Sequence, residues 1–192
     1  MVKNLVGIVG PLQSGKDTTV EYLVNRKGFT RYAFADPIKK GLQEMLGFTD
    51  EQLWGTNEQK EAIDPFWNIS ARRMLQLVGT ELFQFDIHKY TQPGQFDVNR
   101  SVWVQRFKKW YGEEFPKNPN LKVAISDMRF MHEAQFIKNM GGIIIKIHRP
   151  SIERKDTHAS EAEYMRIKED ILIVNDGSLQ DFYKKLDEIF GG

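Results

Sequence analysis

The sequence feature that most constrains the fold is a glycine-rich loop between a strand-like segment and a helix-like segment. Residues 5–9 form an apolar run of strand length, and residues 10–16 then read Gly-Pro-Leu-Gln-Ser-Gly-Lys. This arrangement is typical of a phosphate-binding P-loop, in which backbone N–H groups and the start of the following helix converge on an anion. We therefore predict a phosphate site here. The alternative is a strand, a turn and a helix without a ligand.

The residues after the second glycine suggest how the loop binds phosphate and a metal ion. Lys16 would reach the outer phosphates as a mobile point charge. The standard motif continues with Ser or Thr, whose hydroxyl binds Mg²⁺, but this chain has Asp17 and then Thr18. This departure concerns the way a metal is held and leaves the phosphate prediction unchanged.

Apolar segments of strand length alternate with segments of helical periodicity along the chain. Strands are predicted at residues 5–9, 31–35, 122–126, 143–148 and 171–174, and helices at 16–26, 36–46, 70–89, from 101, around 136–140 and from 178. Near-continuously apolar strands that alternate with helices favour a parallel sheet covered by helices on both faces. Because no repeat or linker interrupts the pattern, we predict a single α/β domain over residues 1–192.

Two segments extend from the carboxyl ends of strands, where ligands bind in open α/β sheets. The first covers about residues 36–120 and is mainly helical, with a predicted loop and short helical pieces at 48–69. Gly79 lies inside its long helix at a cost of roughly 1 kcal/mol relative to Ala, which suggests close packing or a nearby ligand. The second, about 149–169, is highly charged, and we predict either a mobile lid or a solvated surface.

A carboxylate follows the third predicted strand. Asp127 occupies the place where P-loop proteins often hold Mg²⁺, and its alternative is a surface pair with a nearby arginine. Arg129 could bind a phosphate or pair with Asp36 or Glu133. The spacing does not choose between these partners.

Further arginines could neutralise transferred phosphate. Arg72 or Arg73, at the start of the long helix, could clamp a second phosphate through a bidentate contact, and the alternative is an arginine on the helix surface. The charged segment contributes Arg149 and Arg154, a placement that is useful because phosphoryl transfer spreads negative charge over the migrating group.

Composition excludes several other functions. With 27 basic and 26 acidic residues the formal net charge is +1, which gives no reason to expect a nucleic-acid partner. The chain has no cysteine, so disulfides and thiolate metal sites are excluded. Neither a signal peptide nor an apolar run of the ~20 residues needed to cross a bilayer is evident. We expect a cytoplasmic protein with a small-molecule substrate and no membrane partner.

Five short motifs occur in a fixed order between residue 5 and about residue 176. They are Gly-Lys-Asp-Thr at 15–18, Phe-Ala-Asp-Pro-Ile-Lys at 34–39, Arg-x-x-Leu-Gln-x-x-Gly-Thr-Glu at 72–81, Ser-Asp-x-Arg-x-x-x-Glu at 126–133 and His-x-Ser-Glu at 158–161. Together they resemble the deoxynucleoside monophosphate kinases of the bacteriophage and viral type.

The resemblance implies a P-loop kinase fold with a five-stranded parallel sheet, a helical insertion that binds the nucleoside monophosphate, and a charged lid. It implies transfer of the γ-phosphoryl group of ATP, with Mg²⁺, to the 5′-phosphate of a deoxynucleotide such as dGMP or dTMP. Members of the family are commonly dimeric, so a homodimer is possible. A viral protein of this kind would work in the host-cell cytoplasm.

The resemblance also implies roles for individual residues. ATP would be bound by Gly10, Gln13, Ser14, Gly15, Lys16, Asp17, Thr18, Asn175 and Asp176, with residues 175–177 near the adenine. The acceptor would be bound by Asp36, Ile38, Lys39, Arg72, Gln76, Asp127, Arg129 and Glu133. The metal would be held by Asp17, Thr18 and Asp127, and catalysis would use Lys16, Arg129, Arg149 and Arg154. In such kinases a threonine two positions after the lysine of the loop is common, and Thr18 fits that pattern.

Two alternative functions remain open from the sequence. One is another small-metabolite P-loop kinase, such as the animal-type phosphomevalonate kinase, which shares a Gly-Lys-Asp loop. The other is a nucleotide-dependent switch that hydrolyses ATP slowly and acts through a protein partner.

Overall fold

A computed structural model of the chain describes residues 4–92, 94–96, 99–152, 163 and 165–191. The chain divides into two compact units, one of Met1–Ala33 with Lys108–Gly192 and the other of Phe34–Phe107. The single domain expected over residues 1–192 stays a prediction. Within the described ranges, no helix is both long and apolar enough to cross a membrane.

The strands are short, and most of them belong to the first unit. They are β1 (Leu5–Val9), β2 (Thr30–Tyr32), β3 (Ile63–Asp64), β4 (Ile69–Ser70), β5 (Val123–Ile125), β6 (Ile143–His148) and β7 (Ile171–Val174). Five of them form a parallel sheet in the order β2-β5-β1-β6-β7, with Val6 opposite Ala124 on one side and Ile143 on the other. The predicted five-stranded parallel sheet is confirmed. The edge strand β2 is shorter than predicted because its partner β5 offers only three residues for pairing.

Helices occupy most of the remaining described residues. They are α1 (Lys16–Lys27), α2 (Asp36–Leu46), α3 (Asp50–Trp54), α4 (Asn57–Glu61), α5 (Ala71–Gln76), α6 (Val102–Glu114), α7 (Met131–Asn139) and α8 (Leu179–Phe190). A π-helix covers Leu77–Asp86, and 3₁₀-helices cover Ile87–Tyr90 and Asn99–Ser101.

Helices cover both faces of the five-stranded sheet, as predicted. Val6 is fully buried on one face, in a cluster with Leu23 of α1 and Leu186 of α8. Gly7 points to the opposite face, where an added Cβ would lie 2.7 Å from Cδ1 of Ile137 in α7. The alternation along β1 therefore separates two apolar layers, because successive side chains of a strand point to opposite faces.

The second unit contains structure that the sequence predicted only in part. Helices α3 and α4 confirm the short helical pieces, and each begins with a capping box, at Thr49 and at Thr56. The antiparallel pair β3–β4 was not predicted. Its turn depends on Asp64, whose Oδ1 accepts hydrogen bonds from the backbone N–H groups of Phe66 and Trp67.

The long helix predicted over residues 70–89 changes its hydrogen-bond pattern twice. It is α-helical to Gln76, π-helical over Leu77–Asp86 and 3₁₀-helical at its end. Gly79 is tightly packed, since an added Cβ would lie 2.7 Å from Cδ1 of Ile38. Its carbonyl oxygen accepts a 2.7 Å hydrogen bond from Nε1 of Trp103. Close packing thus explains the glycine in this helix.

Candidate active site

The P-loop joins the end of β1 to the start of α1 and needs glycine at both ends. Gly10 and Gly15 have φ angles of 154° and 111°. A Cβ at Gly10 would lie 2.5 Å from the carbonyl oxygen of Ile147, and one at Gly15 would lie 2.7 Å from Nδ2 of Asn175. Gly15 is also the N-cap of α1. Because it has no side chain, its position leaves the first-turn N–H groups open to an anion.

The side chains of Lys16, Asn175 and Arg149 donate hydrogen bonds to carbonyl oxygens of this loop. The bonds run from Lys16 Nζ to Pro11 (2.6 Å), from Asn175 Nδ2 to Ser14 (2.9 Å) and from Arg149 Nη1 to Gln13 (3.4 Å). Asn175 is itself anchored, because its backbone N–H donates to the carbonyl oxygen of His148 at 2.7 Å. The ends of β6 and β7 therefore fix the conformation of the loop.

A cavity of about 220 Å³ opens beside the P-loop. Its lining includes seven residues that the sequence assigned to the site: Gln13, Gly15, Lys16, Asp17, Thr18, Arg149 and Asn175. The structure thus brings the loop, the start of α1, the end of β6 and the end of β7 to one place. Ser14 is fully buried behind this surface.

The same cavity has an apolar part that the sequence did not predict. Leu179 and Phe182, in the first turns of α8, line it together with Gly177. The helical spacing of Leu179, Phe182, Leu186 and Ile189 predicts that all four lie on the buried face of α8, and for Leu179 this prediction is wrong, because its side chain is 57 % exposed. At the first position of α8 the side chain faces the cavity instead of the sheet. The sequence does contain a signal for this apolar surface, because Leu179 directly follows Asn-Asp-Gly-Ser at 175–178, the segment expected near the adenine.

Asp176 does not line this cavity. Its carboxylate pairs with Nζ of Lys185 at 2.6 Å, and the hydrogen bond from Lys185 lowers the pKa of Asp176. The described structure therefore gives Asp176 a partner on α8.

The loop between β5 and α7 carries Asp127 and Arg129 and is held by a buried carboxylate. Oε2 of Glu133 accepts hydrogen bonds from the backbone N–H groups of Arg129 (2.8 Å) and Phe130 (3.0 Å). Glu133 is 3 % exposed. Burial raises the pKa of Glu133 to about 8, although both N–H donors lower it. Glu133 thus acts on the backbone N–H of Arg129, whereas the contact that the sequence left open was an ion pair between the two residues.

Arg72 is oriented by side chains of α4. Its Nη2 donates to Oδ1 of Asn57 at 2.8 Å, and its Nε lies 2.7 Å from Oε1 of Glu61. The neighbouring Arg73 pairs with Glu81 instead. Only Arg72 is thereby directed toward α4, and its two partners are groups that a phosphate could replace.

Four other predicted acceptor residues also lie in the second unit. Asp36 begins α2, and Ile38 follows in the same turn. Nζ of Lys39 lies 5.4 Å from the ring centroid of Trp54, a cation–π contact. Gln76 is partly buried at the end of α5. These residues share one unit with Arg72, and their roles toward a substrate stay predictions.

Part of the predicted site lies outside the described residues. This holds for Arg154 and for most of the predicted lid, including the motif at 158–161. The lid therefore stays a prediction.

The predicted metal residues do not form a metal cage of their own. Within the described ranges, no group of three or more His, Asp or Glu side chains could hold a metal ion. Asp17 and Thr18 nevertheless bring a carboxylate and a hydroxyl to the cavity lining. Because Mg²⁺ is commonly bound by one or two carboxylates together with water and substrate phosphates, this oxygen donor set fits it.

The chain is similar to several known proteins. The family described as deoxynucleotide monophosphate kinase matches residues 48–186. The chain is 44 % identical to a putative deoxynucleotide monophosphate kinase of Acanthamoeba polyphaga mimivirus, over 95 % of this chain and 93 % of the relative. It is 25 % identical to the deoxynucleotide monophosphate kinase of Enterobacteria phage T4, over 95 % and 96 % of the two chains. A solved dephospho-CoA kinase from Campylobacter jejuni is 20 % identical with a TM-score of 0.49, over 100 % and 99 % of the chains.

Proposed function

Because the chain belongs to the deoxynucleotide monophosphate kinase family and is therefore a phosphotransferase, we propose that it transfers the γ-phosphoryl group of ATP to the 5′-phosphate of a deoxynucleoside monophosphate. The observation that carries this proposal is the cavity beside the P-loop, which seven predicted site residues line. The acceptor is dGMP, dTMP or a similar nucleotide.

The lining of the cavity suits a nucleoside triphosphate. Lys16 and the start of α1 provide positive charge at one part of it, and Leu179 and Phe182 provide apolar surface at another. A triphosphate would lie along the loop amides, and Lys16 would exchange its bond to the Pro11 carbonyl oxygen for a phosphate oxygen. A purine base would contact the apolar side chains of α8.

Mg²⁺ would be held by Asp17 and Thr18, with Asp127 contributing directly or through water. When bound, the ion neutralises charge on the β- and γ-phosphates of the nucleotide. Thr18 has the hydroxyl that the standard motif places one residue earlier. Asp17 lies in the first turn of α1, where the helix dipole also favours an anion.

The acceptor would be bound by the second unit through Arg72. Its guanidinium is presented by Asn57 and Glu61, and a substrate phosphate would replace these partners with a bidentate contact. In the first unit, Glu133 would keep the backbone at Arg129 in place, and Arg129 would contact a substrate phosphate.

The reaction requires no general base. An oxygen of the acceptor phosphate is already ionised near neutral pH, and it attacks the γ-phosphorus of ATP while the bond to the bridging β,γ-oxygen breaks. Catalysis then consists of positioning and charge neutralisation by Lys16, Arg129 and the lid arginines Arg149 and Arg154.

A panel of acceptors with Mg²⁺-ATP tests this proposal. Formation of diphosphates from dGMP or dTMP supports it, and the products are identified by chromatography. Phosphorylation of phosphomevalonate instead would favour the other kinase class. ATP consumption at one rate with and without every monophosphate would favour a nucleotide-dependent switch.

Two further properties belong to this proposal. We expect a homodimer, which sedimentation equilibrium tests, and a cytoplasmic location, which fluorescence of a tagged chain in host cells tests.

A further inference from the structure

Gln84 is a polar residue that is buried in the second unit. It is 6 % exposed, and within the described part of the chain its Oε1 has no hydrogen-bond partner. An unpaired buried acceptor is costly, and such an atom in a folded protein calls for a specific explanation.

The π-helix is the reason that Gln84 is buried. In a π-helix the backbone N–H of residue i+5 donates to the carbonyl oxygen of residue i, so the turn is wider than in an α-helix and Gln84, five residues after Gly79, comes closer to the face of Gly79. These two residues are the buried ones of the segment. In an α-helix, Leu82 and Phe83 would follow Gly79 on this face. The wider turn therefore replaces an apolar residue with an amide, and π-helical turns are often found at functional sites.

The surroundings of Gly79 locate this face of the π-helix. Gly79 packs against Ile38 in the first turn of α2, within the segment that the family motif assigns to the acceptor nucleoside. The carbonyl oxygen of Gly79 already accepts a hydrogen bond from Trp103. The carbonyl oxygen of Gly79 is thus hydrogen-bonded, while the amide oxygen of Gln84, five residues further along, has no partner within the described ranges.

We propose that Gln84 determines base specificity by hydrogen-bonding the polar edge of the acceptor nucleobase. Its Oε1 accepts a hydrogen bond from a ring or exocyclic N–H of the base, and its Nε2 donates to a neighbouring acceptor on the same edge. This inference rests on the proposed function. A buried group that is paired only in the complex gives strong discrimination, because a base that lacks the matching donor leaves Oε1 unpaired.

The test compares Gln84→Leu with the unchanged enzyme. The kcat/KM values are measured for dGMP, dAMP, dTMP, dCMP and 2-deoxyribose 5-phosphate, which lacks a base. We expect kcat/KM for the preferred base to fall at least about tenfold, a loss typical of one buried hydrogen bond, while the base-free acceptor stays unchanged. A matched control is Phe85→Leu, at the next position but 45 % exposed, which should retain the base preference.

The remaining outcomes overturn the inference. An equal loss for every acceptor, including 2-deoxyribose 5-phosphate, would show that Gln84 has a structural role. An unchanged ranking of the bases would show that it does not contact the base. Failure of the proposed function is distinguishable from both, because the unchanged enzyme would then phosphorylate none of the nucleotides.

Discussion

The P-loop and the helices around Arg72 hold their polar groups in contrasting ways. In the loop, the carbonyl oxygens are bonded by Lys16, Asn175 and Arg149, side chains that reach in from α1, β7 and β6. In the second unit, Arg72 is bonded to exchangeable side chains, and the amide oxygen of Gln84 has no hydrogen-bond partner among the residues that the structure describes.

This contrast indicates that the two substrates of a kinase can be bound in different ways. A loop whose shape is fixed in advance stabilises charge without reorganising during the reaction. When side chains must first give up partners within the protein, the site binds its ligand less tightly. Its specificity increases, because only a ligand that replaces those partners binds well. We therefore expect variants of the loop to weaken turnover and phosphate binding, and variants of the second unit to change substrate selection.

The largest effect is expected for Lys16→Ala. The loop would lose its point charge on the outer phosphates, and kcat should fall by about 10²–10³ because one preorganised electrostatic group is removed. Steady-state assays of ADP formation check this. Lys184→Ala, at a side chain that is 76 % exposed, is the control and should keep full activity. Near-normal turnover of the Lys16→Ala enzyme would contradict the proposed difference between the P-loop and the second unit.

The next effect is expected for Arg72→Lys. An ammonium cannot reproduce the fork of a guanidinium, so KM for the deoxynucleotide should rise roughly 10–100-fold while KM for ATP changes little. Initial-rate measurements with each substrate varied in turn check this. Arg73→Lys, whose parent side chain pairs with Glu81, should leave both KM values near normal. Equal effects of the two variants would contradict the role of Arg72.

A smaller effect is expected for Asn175→Asp. The change keeps the shape of the side chain but removes the donor to the Ser14 carbonyl oxygen and adds negative charge beside the loop. Binding of inorganic tripolyphosphate, measured by calorimetry, should weaken about tenfold, because it depends on the loop and not on a base. In Leu179→Ala, ATP binding should weaken while tripolyphosphate binding stays unchanged. The opposite pattern would make Asn175 an adenine contact.

A further effect concerns the stability of the fold and its dependence on pH. Because burial raises the pKa of Glu133 to about 8, the folded chain keeps a proton that the unfolded chain loses above about 4.5. The free energy of unfolding should therefore decrease as the pH rises from 5 to 8, by no more than about 1.4 kcal/mol per pH unit. In Glu133→Gln, which keeps an acceptor for both N–H groups, this slope should be shallower. Urea unfolding in EDTA checks it, and identical slopes would contradict the assignment.

The sequence was most informative where local pattern alone determines structure. The P-loop, the strands of the sheet and the capping of α3 and α4 each follow from residues that are close in sequence. The π-helix could not be predicted from local sequence. Gly79, which lies within it, contacts Ile38 and Trp103, and both of these residues are distant from it in sequence.

Other features of the site depend on the direction in which a side chain points, which the sequence pattern does not give. The periodicity of α8 could not show that Leu179, in its first turn, faces a cavity instead of the sheet. The motif that includes Glu133 likewise gave no sign that its carboxylate would be buried against the backbone at Arg129.

The central claim is that the P-loop binds ATP and the second unit binds the deoxynucleotide. Equilibrium dissociation constants of Lys16→Ala and Arg72→Lys for each nucleotide alone, measured by calorimetry, test it most directly. The account predicts that Lys16→Ala loses affinity for ATP and keeps its affinity for the deoxynucleotide, and that Arg72→Lys shows the reverse. Loss of both affinities in both variants, or loss of ATP binding in Arg72→Lys alone, would contradict it.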